Sequence, residues 1–191
     1  MQLEQSFTLP FPLAAAWPAF ADVPMLVSCM PGAALQGDPR SVESGADIDL
    51  IFTVKLGPIT GAFQGQGEVR RDAAAHSGTF SGAGADRKSG SRVKGEAKFA
   101  LAAIGESETR VDISVNYSLS GTLAQFSRGA IVQELAAALT RDFAENLRAR
   151  IAASQLPGDA PAAPEEAQPL DAGRLMWRAV GARLRGGDKK N

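Results

Sequence analysis

From about residue 33 to residue 120 apolar and polar residues alternate with a period of two, in stretches separated by turn residues every ten positions or so. Immediately afterwards the apolar spacing lengthens to that of one long helix. This succession constrains the fold more than any other feature of the chain. Short spacers join strands as antiparallel hairpins, and the amphipathic helix that follows must cover the apolar face those strands share. Five strands are predicted. In residues 46–55, Ile48, Leu50, Phe52 and Val54 alternate with Asp47, Asp49, Thr53 and Lys55, with Ile51 the apolar exception on the polar side. A strand through Val69 follows the Gly57-Pro58 turn, and Ser77–Ala85, Arg92–Ala102 and Glu108–Ser120 complete the set. The last two are cleanly phased: Arg92, Lys94, Glu96 and Lys98 oppose Val93, Ala97, Phe99 and Leu101, and Arg110, Asp112, Ser114 and Asn116 oppose Val111, Ile113, Val115 and Tyr117.

Upstream, Gln2–Leu9 also alternates, with Leu3, Phe7 and Leu9 on one side. Two short helices are predicted next. Pro12 suits a first helical turn, Leu13, Trp17 and Phe20 recur at helical spacing, and Asp22 caps a second helix entered through Pro24. Pro18 removes a donor inside the first helix and keeps it short or kinked. The long helix is predicted from Leu123 to Ala153, with Ile131, Leu135, Leu139, Phe143, Leu147 and Ile151 every fourth residue. A four-residue step drifts about 40° per repeat, so this stripe winds around the helix as a twisted sheet requires. The expected architecture is α+β: a curved antiparallel sheet wrapped around a long C-terminal helix, with two short helices after the first strand, over residues 1–153.

The strand phase places Gly61, Gly65, Gly67, Gly78, Gly82, Gly84 and Gly95 on the apolar side with Phe63, Phe80 and Phe99. Glycine contributes no packing, so either the sheet bends strongly there or the face leaves room for a ligand. The candidate walls of such an apolar cavity are Phe52, Phe63, Phe80, Phe99, Tyr117, Leu135 and Leu139. The Tyr117 hydroxyl, the one phenol of the chain, must find either a main-chain partner or a ligand oxygen.

Residues 154–170 hold four prolines, four alanines and little that could enter a core, which predicts a solvated, semi-extended linker. Residues 171–191 carry six basic and two acidic side chains, a charge of +4, against −5 for residues 1–170. On a helical projection Met176, Trp177, Val180 and Leu184 share one side, while Arg174, Arg178 and Arg185 cluster on another and Arg183 lies off the pattern. This is the pattern of a basic amphipathic helix at a membrane interface; docking on the protein's own body is the alternative. Gly173 and Gly181 make it a weak helix in water, ordered by contact.

The sequence offers little to catalysis. The single histidine, His76, is in a polar turn, and the single cysteine, Cys29, ends a short helix, so neither a triad nor a Cys/His metal cluster can be assembled. Residues 82–95 lack the spacing of a phosphate loop. Basic residues of the polar sheet face are interleaved with acids and lack aromatic platforms, which argues against nucleic acid. No apolar run approaches the roughly 18 residues that span a bilayer, and Met1-Gln2-Leu3-Glu4 does not open a secretory signal, so a cytoplasmic protein is expected.

Three motifs add a resemblance: Cys29-Met30-Pro31-Gly32, then Val54-Lys55-Leu56-Gly57-Pro58-Ile59 with Phe63 and Gly65, and Gly121-Thr122-Leu123-Ala124-Gln125-Phe126. With the order of elements, they resemble the carbon monoxide dehydrogenase G-subunit family, within the START-like, Bet v 1-like superfamily, over residues 1 to about 152. The resemblance implies a helix-grip fold with a lipid-sized cavity, no catalytic residues and no covalent cofactor. It implies an accessory role in aerobic CO oxidation, recruiting the molybdenum-containing CO dehydrogenase to the inner face of the cytoplasmic membrane through the C-terminal extension. An isoprenoid quinone, menaquinone or ubiquinone, in the cavity would join both features, since electrons leaving that enzyme must reach a membrane carrier. A hydrophobic-ligand carrier or membrane adaptor without quinone is the alternative.

Overall fold

The computed structural model describes residues 1–56, 59–127, 130–155 and 170–171. In chain order the elements are β1 (Gln2–Leu9), α1 (Leu13–Ala19), α2 (Val23–Cys29), β2 (Ala33–Leu35), β3 (Arg40–Val42), β4 (Gly45–Leu56), β5 (Ile59–Asp72), β6 (Ser77–Asp86), β7 (Ser91–Ala103), β8 (Thr109–Ser120), a 3₁₀ turn (Thr122–Phe126), α3 (Ala130–Ser154) and β9 (Leu170–Asp171). The sheet order is β1-β8-β7-β6-β5-β4, with β2 and β3 both on the far edge of β4, and all these pairs are antiparallel. The five predicted strands are therefore β4 to β8, in the predicted phase. The short helices form as their end residues dictate: the Asp22 carboxylate accepts from Met25 N–H at 2.9 Å, and α1, with Pro18 inside it, ends after seven residues.

One boundary differs from the sequence expectation. The long helix begins at Ala130, not Leu123, because residues 122–126 form a separate 3₁₀ turn. Gly121 enters it with φ 84°, a left-handed conformation that favours glycine, where a Cβ would also meet the Gly90 carbonyl. Leu123 is then driven into the apolar layer beside Val54 and Phe63, and its N–H donates to Ser91 Oγ at 2.9 Å. A segment that plugs the end of the sheet in this way cannot also align with the axis of α3.

The inner face of the sheet and α3 enclose three separate apolar clusters. Leu9, Ala16, Phe20, Cys29, Leu101 and Val111 meet Phe143, Leu147 and Ile151 where α1 and α2 brace the C-terminal half of α3. Asn146 Nδ2 donates to the Cys29 carbonyl at 3.0 Å and ties the same joint. Val23, Ala46, Ile48 and Val69 form the second cluster, and Val54, Phe63 and Leu123 the third, at the opposite end of the sheet. Among the described residues no helix is long and apolar enough to cross a membrane.

Candidate ligand-binding site

The apolar stripe of α3 is evenly spaced in sequence, but its burial is not even. Ile151, Leu147 and Phe143 are 2%, 0% and 7% exposed, Leu139 and Leu135 are half-buried, and Ile131 is 51% exposed. The C-terminal half of the helix is thus in a packed core, whereas burial falls toward its N-terminus, where Leu135 still packs against the Val54 cluster and Ile131 is exposed. On the inner face of the sheet, Leu50, Phe52, Phe80, Val93, Tyr117 and Leu119 are likewise half-buried. Half-buried apolar side chains thus line both the sheet and this half of the helix, the composition that a hydrophobic ligand site uses.

The inner-face glycines divide into two kinds. A Cβ on Gly65 would collide with the Ala83 carbonyl and lie 2.5 Å from Gly84 Cα, so there two backbones approach each other and the sheet bends. Gly67 and Gly78 are roofed by the rings of Phe80 and Phe99, and Gly61 by Leu123 Cδ1, 2.8 Å from where a Cβ would be. Curvature and ring coverage therefore account for these four. Gly95, paired with Gly82 across β7 and β6, is different: a Cβ there would have Asn116 O at 3.3 Å and Tyr117 Cβ at 3.5 Å as its nearest neighbours. Gly95 is the least crowded of the seven, whereas at its partner Gly82 a Cβ would lie 3.0 Å from the Gln66 carbonyl oxygen and 3.2 Å from Phe80 Cζ.

Of the seven predicted wall residues, Phe52, Phe63 and Leu135 come together in the cluster around Val54. Phe80 packs against the Val23 cluster, and Phe99 packs beside Phe20 with ring centroids 5.3 Å apart. Leu139 lies half-buried between the packed and open halves of α3. Tyr117 donates its hydroxyl to the Ser127 carbonyl at 2.9 Å, a main-chain partner, and burial pushes its phenol pKa up. The predicted tail residues, Arg174, Met176, Trp177, Arg178, Val180, Arg183, Leu184 and Arg185, lie outside the described residues.

Sequence reasoning missed the polar pins that fix the open end. Asp86 is 3% exposed and shapes the β6–β7 hairpin by accepting from Ser89 Oγ at 2.6 Å and Lys88 N–H at 3.0 Å. Ser91, fully buried, holds the 3₁₀ turn through Leu123 N–H, and Tyr117 holds its far end. An Asp followed three residues later by Ser is a turn signature that could have exposed the first of these. The Ser89 hydroxyl holds the Asp86 carboxyl below its usual range, against the opposing effect of burial, and the Lys88 N–H adds to it. A carboxyl depressed in the folded state contributes stability above its unfolded pKa of about 3.9 and loses it as pH falls through the lower folded value. Asp86→Ala should therefore cost about 1–2 kcal/mol at neutral pH, the worth of hydrogen bonds to a charged acceptor. Urea titrations should show that difference shrinking as the medium is acidified below the unfolded pKa of about 3.9.

Neither lone nucleophile candidate is poised for chemistry. Burial pushes the Cys29 thiol pKa up, and its Sγ lies 3.7 Å from Met25 Sδ. His76, at φ 45°, stands edge-on to Trp17 with centroids 5.3 Å apart, and its carbonyl accepts from Leu101 N–H at 2.9 Å. Both are joints between α1, α2 and the sheet. The outer face carries two open hollows of about 700 and 680 Å³, floored by strand backbone and small side chains such as Thr79, Ser81 and Ser114. Their rims hold the pairs Lys98–Glu96 and Arg110–Asp112, at 3.4 and 2.8 Å. That surface suits water, not an apolar ligand.

Comparison with known proteins agrees with this geometry. Residues 6–152 match the family model of the carbon monoxide dehydrogenase G subunit (CoxG). No curated protein matches the chain. Among solved structures, a conserved protein from Geobacillus kaustophilus is 18% identical with a TM-score of 0.65, covering 81% of this chain and 97% of its own. A START superfamily protein from Mycobacterium smegmatis is 13% identical with a TM-score of 0.52, covering 81% of this chain and 99% of its own. Norcoclaurine synthase from Thalictrum flavum is 12% identical with a TM-score of 0.53, covering 80% of this chain and 86% of its own. The architecture is thus the START-like fold of these solved structures.

Proposed function

The chain belongs to the CoxG family of carbon monoxide dehydrogenase G subunits, and we propose that it is a non-enzymatic carrier and adaptor. In this reading it takes an isoprenoid quinone or similar lipid between sheet and α3. It also brings the molybdenum CO dehydrogenase to the inner face of the cytoplasmic membrane, where it is peripherally bound through its basic tail. The observation that carries the ligand half is the fall in burial along α3, from Leu147 at 0% exposed to Ile131 at 51%, on a stripe that stays apolar throughout. An amphipathic helix with nothing to cover would turn polar on that face. The family name supports the enzyme partner, and a quinone would give such a partner's electrons a route to the membrane.

The non-enzymatic half of the proposal draws on the same residues. The polar groups at the open end are engaged with main chain or with each other, as Tyr117, Ser91 and Asp86 are. None of them is within a nucleophile–base arrangement of the kind acyl transfer or hydrolysis requires. Solvent extraction and native mass spectrometry of protein purified from its own host should yield a co-purifying quinone or lipid at near-stoichiometric amounts. A protein that arrives empty and takes up neither a short-chain quinone nor a fatty acid on titration would leave only the adaptor role.

A further inference from the structure

The sheet ends differently on its two sides. The far edge of β4 is covered by β2 and β3 and, in parallel, by β9, with Leu170 opposite Val54 and Asp171 opposite Lys55. β1, at the other end of the sheet, has β8 on one side and no strand on the other. Met1 and Tyr117 exchange both of their backbone hydrogen bonds, at 2.8 and 2.9 Å. The ladder alternates from that pair, so the odd residues of β1 bond to β8, while Gln2, Glu4, Ser6 and Thr8 aim their N–H and C=O groups outward. The one hydrogen bond to this edge among the described residues is from Arg148, whose Nη2 donates to the Thr8 carbonyl at 3.3 Å. The strand pairs with β8 without interruption over its 8 residues, and it holds no bulge, lysine or proline, the devices that keep an edge from adding another strand.

The edge is complementary to itself. An antiparallel copy must set outward-facing residues against outward-facing residues, which leaves few registers. A two-fold axis at Glu4 would put two carboxylates face to face, and one at Ser6 would set Gln2 against Pro10, which has no N–H. An axis at Leu3 would carry Ser6 and Thr8 beyond the strand of the second copy. With the axis at Gln5, Glu4 is opposite Ser6 and Gln2 opposite Thr8 on the outer face. On the inner face Leu3 is then opposite Phe7, and the two Gln5 amides meet each other. No charge faces its like in this register, and the half-buried Leu3 and Phe7 each gain an apolar neighbour.

We propose that β1 is a dimerisation edge: two copies of this chain join β1 to β1 about a two-fold axis at Gln5, and their sheets continue into one. The axis is perpendicular to the sheet, so both inner faces, and both copies of α3, are on the same side. A single strand pair buries less than the roughly 1,200 Å² of a standard interface, so the dimer is reversible and depends on concentration.

Sedimentation velocity of the full-length chain over about a hundredfold range of concentration should show monomer exchanging with dimer. Ser6→Pro removes an outward N–H without touching a bond to β8, and should weaken the dimer at least about tenfold while the monomer melts as before. Ser6→Lys sets a cation against Glu4 of the second copy on both sides of the axis, and should tighten the dimer at low salt. A cross-link tests the register without relying on either variant. Opposed residues of a non-hydrogen-bonded pair have Cα atoms about 4.5 Å apart, within the span of a disulfide. Mild oxidation should therefore join Gln5→Cys protein into a covalent dimer and leave Leu3→Cys protein unlinked, with the native Cys29 buried in both. A native chain that is monomeric throughout, with Gln5→Cys no more cross-linked than Leu3→Cys, overturns the proposal. So does a dimer that Ser6→Pro leaves as tight as before and that Gln5→Cys does not link, since its contact is then on another surface.

Discussion

Gly65→Val is expected to abolish the fold, whereas Gly95→Leu, on the same face, should leave it standing and remove ligand uptake. At Gly65 a side chain would meet two pieces of neighbouring backbone, the Ala83 carbonyl and Gly84 Cα. Backbone in a central ladder cannot shift without breaking hydrogen bonds to β6, so the loss should exceed the 1–3 kcal/mol typical of overpacking, at about 4 kcal/mol or more. At Gly95 the nearest atoms are 3.3 and 3.5 Å from an added Cβ, so the Asn116 carbonyl must give by a few tenths of an ångström, and the rest of a leucine would project from the apolar face of the sheet. It should fold with a loss within about 1 kcal/mol, because burying a leucine offsets the small shift it demands. Its affinity for a short-chain quinone, followed by intrinsic fluorescence, should fall at least about tenfold, since the added side chain occupies the ligand's place. A Gly95→Leu protein that binds like the native chain would move the site elsewhere. A Gly65→Val protein that melts like the native chain would mean the sheet is looser there than its close approach implies.

These glycines mark how far the sequence could be followed. Period-two alternation states which side of a strand a residue occupies, and every strand from β4 to β8 has the side that its pattern indicated. Alternation does not state how near the opposite layer comes. For that reason seven glycines that look alike in sequence separate, in three dimensions, into a close approach at Gly65, roofed positions such as Gly67 and Gly78, tight ones at Gly82 and Gly84, and the least crowded, Gly95. The α3 stripe carries the same lesson, because Ile131 and Leu147 are equivalent by spacing and opposite in burial. What separates them is where α1 and α2 brace the helix, a tertiary choice with no local signature.

The rim was less legible for another reason. Asp86, Ser91 and Ser127 are short polar residues whose turn propensity is plain but whose partners are far along the chain or depend on a left-handed Gly121. Phe126 and Leu123 looked like the first turn of a long helix because their apolar spacing permits it, yet both pack against the cluster at the open end. β9 was hidden altogether: two residues carry no period, and the surrounding Pro/Ala composition argues for a linker. Only the vacant edge of β4 gives Leu170 and Asp171 a reason to pair.

Removing everything after Gln155 should convert a vesicle-binding protein into one that stays in the supernatant, the largest functional change a single alteration of this chain should produce. The helix α3 ends at Ser154, and the family match ends at residue 152, so the truncated chain keeps every cluster of the core. What it loses is the +4 tail together with the three acids of the linker, and residues 1–155, with 14 basic and 16 acidic side chains, keep a charge of −2 that an anionic surface repels. Each Arg or Lys held near such a surface contributes about 1 kcal/mol, a contribution that fades beyond a Debye length of about 10 Å at 0.1 M salt. The apolar face of Met176, Trp177, Val180 and Leu184 contributes through burial at the interface, which salt does not screen. The two contributions therefore separate. High salt should weaken the native chain severalfold, and Trp177→Ala should weaken it at low salt too, while leaving the β9 pairing and the ligand site as they are. Co-sedimentation with phosphatidylglycerol-containing vesicles at two salt concentrations measures both. If truncated and native chains partition equally, the tail is no anchor, and the adaptor role must be sought on the protein's own surface.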